Sequence, residues 1–413
     1  MITKKAAPSK HNWITLVILI LAGEGIFFLP FVLARIFRPT VLRTFEITNL
    51  ELGTCFSIYG FVAVGCYFLG GPLADQFPAR KLISLGLWST GLGGLVLFVS
   101  PVLTTMYFIY AYWGMTTILF FWAPLIKATR IWGGEGFQGR AFGGLESGRG
   151  LSAAILGTLS IAVFASYQNS DQSGFLTVLL FTSITVIVIG ILTWFIIPES
   201  VEEKYATKKE YDKEEMVHIL KNPDIWRLSI IILCAYVGYK ITDDYSLFAY
   251  DVLGFSETES AGVSNAALWL RPVFALLAGL MADRFSGRKV LLIGFLSMII
   301  SGLLIYNQAI YSTVGMSLFI LSLSLIGVYG IRGVYFALFK EANIREKATG
   351  TAVGIMSVVG YLPDVFMSPL MGYVLDTYPG VYGHQVIFLM LYLAASIGLV
   401  CALWLRSRED DWF

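Results

Sequence analysis

Ionisable side chains recur inside the long apolar runs of this 413-residue chain. An ionised group facing lipid costs roughly 3 kcal/mol or more, so these side chains must face protein or water. Carboxylates in such places can carry protons, while arginine and lysine can hold an anion. The residues concerned are Glu24, Glu146, Arg149, Lys240, Asp243, Asp244, Arg271, Arg332 and Asp364.

The first apolar run has a polar stripe. One helical face carries, at i, i+4, i+7, i+11 and i+14, the residues Glu24, Phe28, Phe31, Arg35 and Arg38. At 1.5 Å per residue, Glu24 lies roughly 16 Å into the run, near mid-bilayer. We expect Glu24 to carry a proton and both arginines to bind substrate. The alternative is that the arginines only mark the outer end of the helix.

The seventh run holds Lys240, Asp243 and Asp244 at i, i+3 and i+4, so the lysine can pair with either carboxylate. One interpretation is a self-neutralising cluster that orders the helix. The other is that Lys240 binds an anionic substrate while Asp243 or Asp244 carries a proton.

The remaining charges in the runs need partners from elsewhere in the fold. Arg271 and Arg332 each require an anion, which either Asp364 or the substrate can supply. Asp364 is a further candidate for proton coupling. Glu146 and Arg149 form an i, i+3 pair in a glycine-rich stretch, which predicts a gate or a structural pair where helices pack closely, with a substrate contact as the alternative. Tyrosines that can add hydroxyl groups and ring faces to the cavity, or else simply fill the core, are Tyr59, Tyr110, Tyr236, Tyr239 and Tyr329.

These residues belong to a chain with the composition of a membrane protein. Hydrophobic residues make up 56% and charged residues 14%, against about 25% charged residues in a soluble chain. The apolar runs are near 20 residues long, which is enough to cross a bilayer. We predict twelve spans, at 13–38, 52–74, 82–100, 104–128, 141–165, 175–197, 226–250, 260–282, 290–309, 312–337, 348–375 and 384–405. The third, sixth, ninth and twelfth carry no Asp, Glu, Lys or Arg, so we expect them on the outside of the bundle.

A short loop sequence occurs twice. Residues 71–81 read GPLADQFPARK, and 208 residues later 279–289 read GLMADRFSGRK. This repeat resembles the signature loop of the major facilitator superfamily. The resemblance implies an all-α polytopic fold of twelve transmembrane helices, in two six-helix halves with pseudo-twofold symmetry. It also implies gating roles at the repeated loops, where we expect the two aspartates to cap helices and pair with arginines. The loop residues are Asp75, Arg80, Asp283 and Arg288.

A narrower resemblance involves the seventh run. It is similar to the corresponding span of the organophosphate:phosphate antiporters, the glycerol-3-phosphate transporter type. That likeness implies that a basic residue at or beside Lys240, with another in the first span, holds a phosphate. The residues that carry it are Asn222, Trp226, Tyr236, Lys240, Asp244 and Ser246.

The chain divides at a polar stretch into two halves, 1–198 and 226–413, joined by a cytoplasmic linker at 199–225. Of the 29 Lys and Arg residues, 22 lie on the side of the termini, three on the other side and four within spans. The positive-inside rule then places both termini in the cytoplasm, in what we expect to be a bacterial inner membrane.

We therefore predict a secondary transporter of a small organic anion (phosphorylated, sulfonated or carboxylated), driven by protons or a counter-anion through alternating access. The main alternative is a carrier of a neutral or zwitterionic solute such as an amino acid, dipeptide or nucleoside. A membrane enzyme or sensor is the remote one. We expect a monomer without cofactor, metal site or nucleic-acid partner. The three histidines lie near span ends or in a loop, so no histidine relay is expected.

Overall fold

The computed structural model describes residues 13–133, 138–167, 171–198, 221–307, 313–334, 356 and 358–405. This part of the chain contains twelve helices long and apolar enough to cross a membrane, as predicted. Residues 199–220 of the linker and 348–355 of the eleventh predicted span lie outside it. The helices are α1 Trp13–Ile36, α2 Asn49–Gln76, α3 Ala79–Val99, α4 Leu103–Gly133, α5 Ala141–Ala165, α6 Gln172–Ile196, α7 Pro223–Asp251, α8 Glu257–Ala282, α9 Gly287–Tyr306, α10 Val314–Val334, α11 Val358–Thr377 and α12 Val381–Leu403.

Three of these helices change their winding along their length. α1 contains a π-helical turn at Phe28–Val32, which includes Pro30. α4 contains another at Ile118–Trp122, shortly before Pro124, and α7 contains a 3₁₀ turn at Thr242–Asp244. Proline cannot donate a backbone hydrogen bond, which favours such irregular turns. Interruptions of this kind are frequent at functional positions, and the turns in α1 and α7 adjoin the charged residues.

The buried apolar side chains form two separate clusters. One draws on residues between 18 and 197, with Ala261 and Leu268 of α8 added. The other draws on residues between 225 and 405. Helices α1–α6 and α7–α12 therefore each surround a core of their own, which confirms the predicted fold of two six-helix halves.

Helices α3, α6, α9 and α12, whose predicted spans carry no Asp, Glu, Lys or Arg, expose rows of large apolar side chains. Such rows are expected of helix faces that meet lipid rather than water. The exposed residues include Leu85, Leu92 and Val96 on α3, Ile184, Val188 and Phe195 on α6, Ile293, Leu296 and Ile300 on α9, and Leu393, Ile397 and Val400 on α12.

The halves meet closely where α2 packs against α11. A Cβ atom added at Gly53 would lie 2.7 Å from the carbonyl carbon of Ser368, and one at Gly372 would lie 2.7 Å from the Cα of Leu50. Glycine at these positions lets the two backbones approach within van der Waals contact. A second contact joins α5 to α8, where Asn265 Nδ2 donates to Thr158 Oγ1 at 2.9 Å.

We call the end of the bundle with the α1–α2, α7–α8 and α11–α12 connections the distal end. Here the Asp376 carboxylate of α11 accepts the backbone N–H groups of Asn49 (3.0 Å) and Leu50 (2.7 Å). These are the first residues of α2, whose N-terminal N–H groups and helix dipole attract an anion. Arg38 adds hydrogen bonds from its Nε and Nη2 to Asn49 Oδ1. Asp376 therefore fastens α11 to α2 across the two halves.

A second carboxylate joins the halves at the same end. Glu257, the first residue of α8, accepts a hydrogen bond from the Thr40 hydroxyl and pairs with Arg43. Both partners lie on the helical extension Arg38–Phe45, which follows α1. The distal end is closed in this structure by acidic groups of one half that bind donors of the other.

The repeated loops differ in detail from the prediction. α3 begins after Pro78, which has no side-chain cap, and α9 is capped by Ser286. The expectation that Asp75 caps the helix after its loop is therefore wrong. Asp75 is exposed and makes no ion pair within the described residues. The Asp283 side chain lies outside them.

Candidate functional site

An ion-pair cluster lies where α1 meets α7. Arg35 Nε donates to Asp243 Oδ1 at 2.5 Å, and Lys240 Nζ lies 3.0 Å from Asp243 Oδ2. None of the three side chains is more than 6% exposed. Asp243 lies in the 3₁₀ turn that follows Lys240. The structure thus contains the predicted Lys240–Asp243 pair, and Asp243 also binds a cation of the opposite half.

Lys240 has a second acidic neighbour on α11. Its Nζ lies 3.6 Å from Asp364 Oδ1 and within 5.2 Å of the ring centroids of Phe31 and Phe56. The Tyr236 hydroxyl donates to the Asp364 carboxylate at 3.0 Å. The ammonium group therefore lies among two carboxylates and two aromatic faces, an environment that stabilises a desolvated cation.

Tyr239 lies between two guanidinium groups. Arg35 is 4.5 Å from its ring centroid and donates to its hydroxyl at 3.1 Å. Arg332 of α10 is 4.2 Å from the same centroid. Tyr239, Tyr236 and Arg332 line a small cavity together with Ile232, Ala235 and Val328. The buried Tyr329 hydroxyl has no hydrogen-bond partner among the described residues.

A second network joins α1, α5 and α8. Glu24 lies 3.3 Å from Arg149 Nε and 3.5 Å from Arg271 Nη1. Glu146 lies 2.8 Å from Arg149 Nη1 and 3.7 Å from Arg271 Nη2. Asp364, one of the two partners that the sequence allowed for Arg271, is not paired with it, because Arg271 lies beside the two glutamates instead. The Glu146 side chain is 52% exposed, whereas the other three are at most 6% exposed, so solvent reaches the network at Glu146.

We call these residues together the central cluster. Arg332 connects the two networks, since it stacks on Tyr239 and interacts electrostatically with Glu146. Within the described residues the cluster has five basic and four acidic side chains, which leaves one positive charge in excess. Its members are Arg35, Arg149, Lys240, Arg271, Arg332, Glu24, Glu146, Asp243 and Asp364.

Some residues grouped by the sequence lie elsewhere. Asp244 does not pair with Lys240; its Oδ2 lies 2.7 Å from Nδ1 of His384 on α12. Arg38 binds Asn49 and the Asp243 backbone carbonyl in the distal closure. Sequence reasoning missed His384 because it lies near a helix end, yet it is fully buried. The spacing of Asp244 and Asp251, which lie on one face of α7, was the feature of the sequence that could have indicated a shared partner.

The two arginines of the repeated loops make contacts at the opposite end of the bundle. Arg80 stacks over the Trp194 ring at 5.5 Å, and Arg288 donates to the Leu403 carbonyl oxygen at 2.6 Å. These contacts join α3 to α6 and α9 to α12, so each contact lies within a single half and neither connects the two halves. The gating role of the two arginines stays a prediction.

The central cluster lies between two helical halves, and the described part of the chain contains twelve helices long and apolar enough to cross a membrane. The family model of the Major Facilitator Superfamily matches residues 15–363, most of the chain. The chain belongs to the major facilitator superfamily. This major facilitator is 28% identical over 403 residues to the inner membrane protein YqcE of Escherichia coli, covering 95% of this chain and 93% of that one. It is also 28% identical over 411 residues to the inner membrane protein YihN of the same organism, covering 97% and 96%.

A more distant relative is the probable nitrate/nitrite antiporter NarK1 of Thermus thermophilus, 23% identical over 358 residues, with 80% of this chain and 78% of that one covered. Among solved structures, the fold resembles a bacterial homologue of the human lysosomal transporter Spinster (TM-score 0.74, 13% identity, 97% and 98% covered). It also resembles a D-xylose–proton symporter (TM-score 0.73, 16% identity, 94% and 96% covered). This major facilitator is therefore an integral membrane protein and a secondary transporter, and it is not an enzyme.

Proposed function

We propose that the protein transports a small organic anion by exposing the central cluster alternately to the two sides of the membrane. Residues 1–198 and 226–413 act as the two moving halves, with 199–225 as the linker and both termini in the cytoplasm. The observation that carries the proposal is the gathering of five basic side chains between the halves, with Arg332 beside a cavity that Tyr236 and Tyr239 also line. Such a concentration of cations attracts an anion.

The geometry near Arg332 suits the charged group of such a ligand. Its guanidinium can bind a carboxylate, sulfonate or phosphate through two parallel hydrogen bonds, which lysine cannot do. Tyr236 and Tyr239 offer hydroxyl groups and ring faces beside it. The likeness of α7 to the organophosphate:phosphate antiporters and the name of the nitrate/nitrite relative both favour an anion.

Replacing Arg332 with glutamine tests this proposal. We expect the purified protein to be stabilised against heat by at least one anion from a panel of a sugar phosphate, an alkyl sulfonate and an aldonate. In Arg332→Gln the affinity for that anion should fall at least tenfold, because the variant loses a charged hydrogen-bond donor worth about 1.5–3 kcal/mol. The measurement is the thermal midpoint against ligand concentration.

The matched control is Arg227→Gln, since Arg227 pairs with Asp224 near the start of α7, away from the cluster. Its anion affinity should equal that of the unmodified protein. Stabilisation by a neutral hexose or a nucleoside, with none by any anion, would contradict the proposal.

We further propose that a proton accompanies the anion and that Asp364 carries it. Glu24 and Asp243 each lie within 3.5 Å of two cationic side chains. Asp364 has one cation at 3.6 Å and a tyrosine hydroxyl, and its side chain is 22% exposed. Protonating Asp364 therefore costs the least electrostatic stabilisation among these three carboxylates.

The Asp364→Asn variant separates coupling from binding. In proteoliposomes we expect it to lose accumulation of the anion driven by a pH gradient while keeping exchange of labelled for unlabelled anion. An asparagine can still accept the Tyr236 hydrogen bond but cannot release a proton. Accumulation that persists in this variant would place the coupling proton on another group.

A carrier of a neutral or zwitterionic solute is the second candidate. It is favoured by the acidic partners, each within 3.7 Å, of Arg35, Arg149, Lys240 and Arg271, an arrangement that largely neutralises itself. The two candidates differ in one result. Transport that is unchanged in Lys240→Ala or Arg271→Ala would support the neutral solute.

A further inference from the structure

A buried histidine of α12 contacts the distal part of α7 at two points, one at each end of that part. His384 Nδ1 lies 2.7 Å from Asp244 Oδ2, and its Nε2 lies 3.3 Å from Asp251 Oδ2. Asp244 and Asp251 are seven residues apart, which is about two helical turns and places them on one face. The histidine therefore spans the helical segment Tyr245–Asp251. None of the roles proposed above for the central cluster uses these three side chains.

The two hydrogen bonds fix the number of protons in this triad. A neutral imidazole has one N–H donor, and an ionised carboxylate can only accept. When both carboxylates are ionised, two bonds to one ring therefore require both ring nitrogens to be protonated. The triad then carries a net charge of −1, and it would carry −2 after losing that proton.

Loss of the proton would be costly at the inner end of the triad. Asp244 is fully buried, as is His384, and Asp244 Oδ1 has no hydrogen-bond partner among the described residues. Without the imidazolium its carboxylate would be a buried charge without a cation, which is strongly destabilising.

Within the described residues, no cation of another helix pairs with the triad. The Arg43 guanidinium of the other half lies over the Tyr250 ring of the same segment, 5.7 Å from the ring centroid. The Tyr245 hydroxyl is bonded to Ser324 of α10, and Gln385 donates to the Tyr306 carbonyl oxygen on α9. On α7, Asp244 and Asp251 are the titratable groups bonded to the ring. The Asp251 side chain is 31% exposed, so it provides the contact with solvent through which a proton enters.

The segment held by the histidine also takes part in the distal closure. Ser246 Oγ donates to the Arg35 carbonyl oxygen of the other half at 2.9 Å. Asp243, which binds the Arg35 side chain, lies just before the segment. We propose that Asp244, His384 and Asp251 form a proton-binding site that fastens Tyr245–Asp251 to α12, so that release of the proton loosens the distal closure.

Nitrogen-15 NMR of the full chain, labelled at histidine and held in lipid nanodiscs, tests the protonation state directly. His384→Gln identifies the resonance by its disappearance. The spectrum is recorded at a pH about one unit above the ordinary histidine pKa of roughly 6.5. At that pH we expect the ring of His384 still to carry two N–H groups. Asp244→Asn and Asp251→Asn should each reduce this to one. A ring with a single N–H in the unmodified protein would overturn the proposal.

Hydrogen exchange tests the link to closure. The exchange rate of Tyr245–Asp251, relative to that of α12, should rise at least tenfold as the pH increases through the alkaline range. The exposed substitution Asp251→Asn should abolish this pH dependence. Ser324→Ala, which removes a neutral contact of the same segment, should keep it. A relative rate that does not change with pH in the unmodified protein would refute the inference. Neither measurement needs a transported solute, so both are independent of the proposed function.

Discussion

Replacing Asp243 with asparagine is expected to cost ~3–5 kcal/mol of folding free energy and to abolish transport. Asp243 is the carboxylate shared by Arg35 at 2.5 Å and Lys240 at 3.0 Å, and all three side chains are buried. Asparagine has nearly the same shape but no charge. It would leave two buried cations with too little negative charge nearby. Reversible unfolding in lipid–detergent mixtures measures the loss of stability, and a proteoliposome assay measures transport.

Asp224→Asn is the matched control for this substitution. Asp224 pairs with Arg227 at 2.6 Å, but both side chains are partly exposed at the start of α7, so the expected loss is about 1 kcal/mol or less. Adding Lys240→Met to Asp243→Asn removes one of the uncompensated cations. The double variant should recover part of the stability without recovering transport. Equal losses in the two single variants would mean that the Arg35–Asp243–Lys240 contact does not stabilise the folded protein.

The sequence predicted the parts of this structure that hydrophobicity determines. Twelve apolar runs specify twelve helices, because a backbone in lipid must satisfy its hydrogen bonds internally. The stripe on α1 identified Glu24 and Arg35, since a buried charge needs a wet or charged neighbour. Which residues of the other half those neighbours are depends on how the halves pack, and helical periodicity within one run contains no such information.

One signal for the central contact was nevertheless present. Arg35 and Asp243 are 208 residues apart, the same distance that separates the two repeated loops. The two residues therefore occupy equivalent positions in the two halves, and equivalent positions near a twofold axis lie close to one another. Applying the offset of the repeat to α1 would have indicated the Arg35–Asp243 pair before any coordinates were known.

The contacts of Asp376 and His384 could not be found in this way. Both residues lie near helix ends, where polar side chains usually meet solvent or lipid headgroups. Asp376 binds the N-terminus of a helix in the other half, and His384 binds two carboxylates of α7. Each contact depends on the closed distal end or on the tertiary position of α12, neither of which the sequence pattern specifies.

A larger side chain at position 53 is expected to prevent the distal end from closing. In Gly53→Val the new side chain would overlap the backbone of Ser368 and Pro369 on α11, where backbone atoms cannot move aside as a flexible side chain can. The Asn49 and Leu50 amides would then lose their acceptor, Asp376. We expect their hydrogen exchange to accelerate at least tenfold and transport to stop.

Gly65→Val on the same helix is the matched control. It separates the steric overlap at position 53 from the intrinsic cost of valine in a helix. No atom lies within 4 Å of a Cβ built at Gly65, so this variant should exchange and transport as the unmodified protein does. Each tenfold difference between the variants corresponds to ~1.4 kcal/mol in the equilibrium between closed and open distal ends. Equal exchange in the two variants would show that the α2–α11 contact does not determine closure. A large difference would show that the close approach of the α2 and α11 backbones determines how much of the protein has a closed distal end. The ion pairs of the central cluster would then not be sufficient for closure.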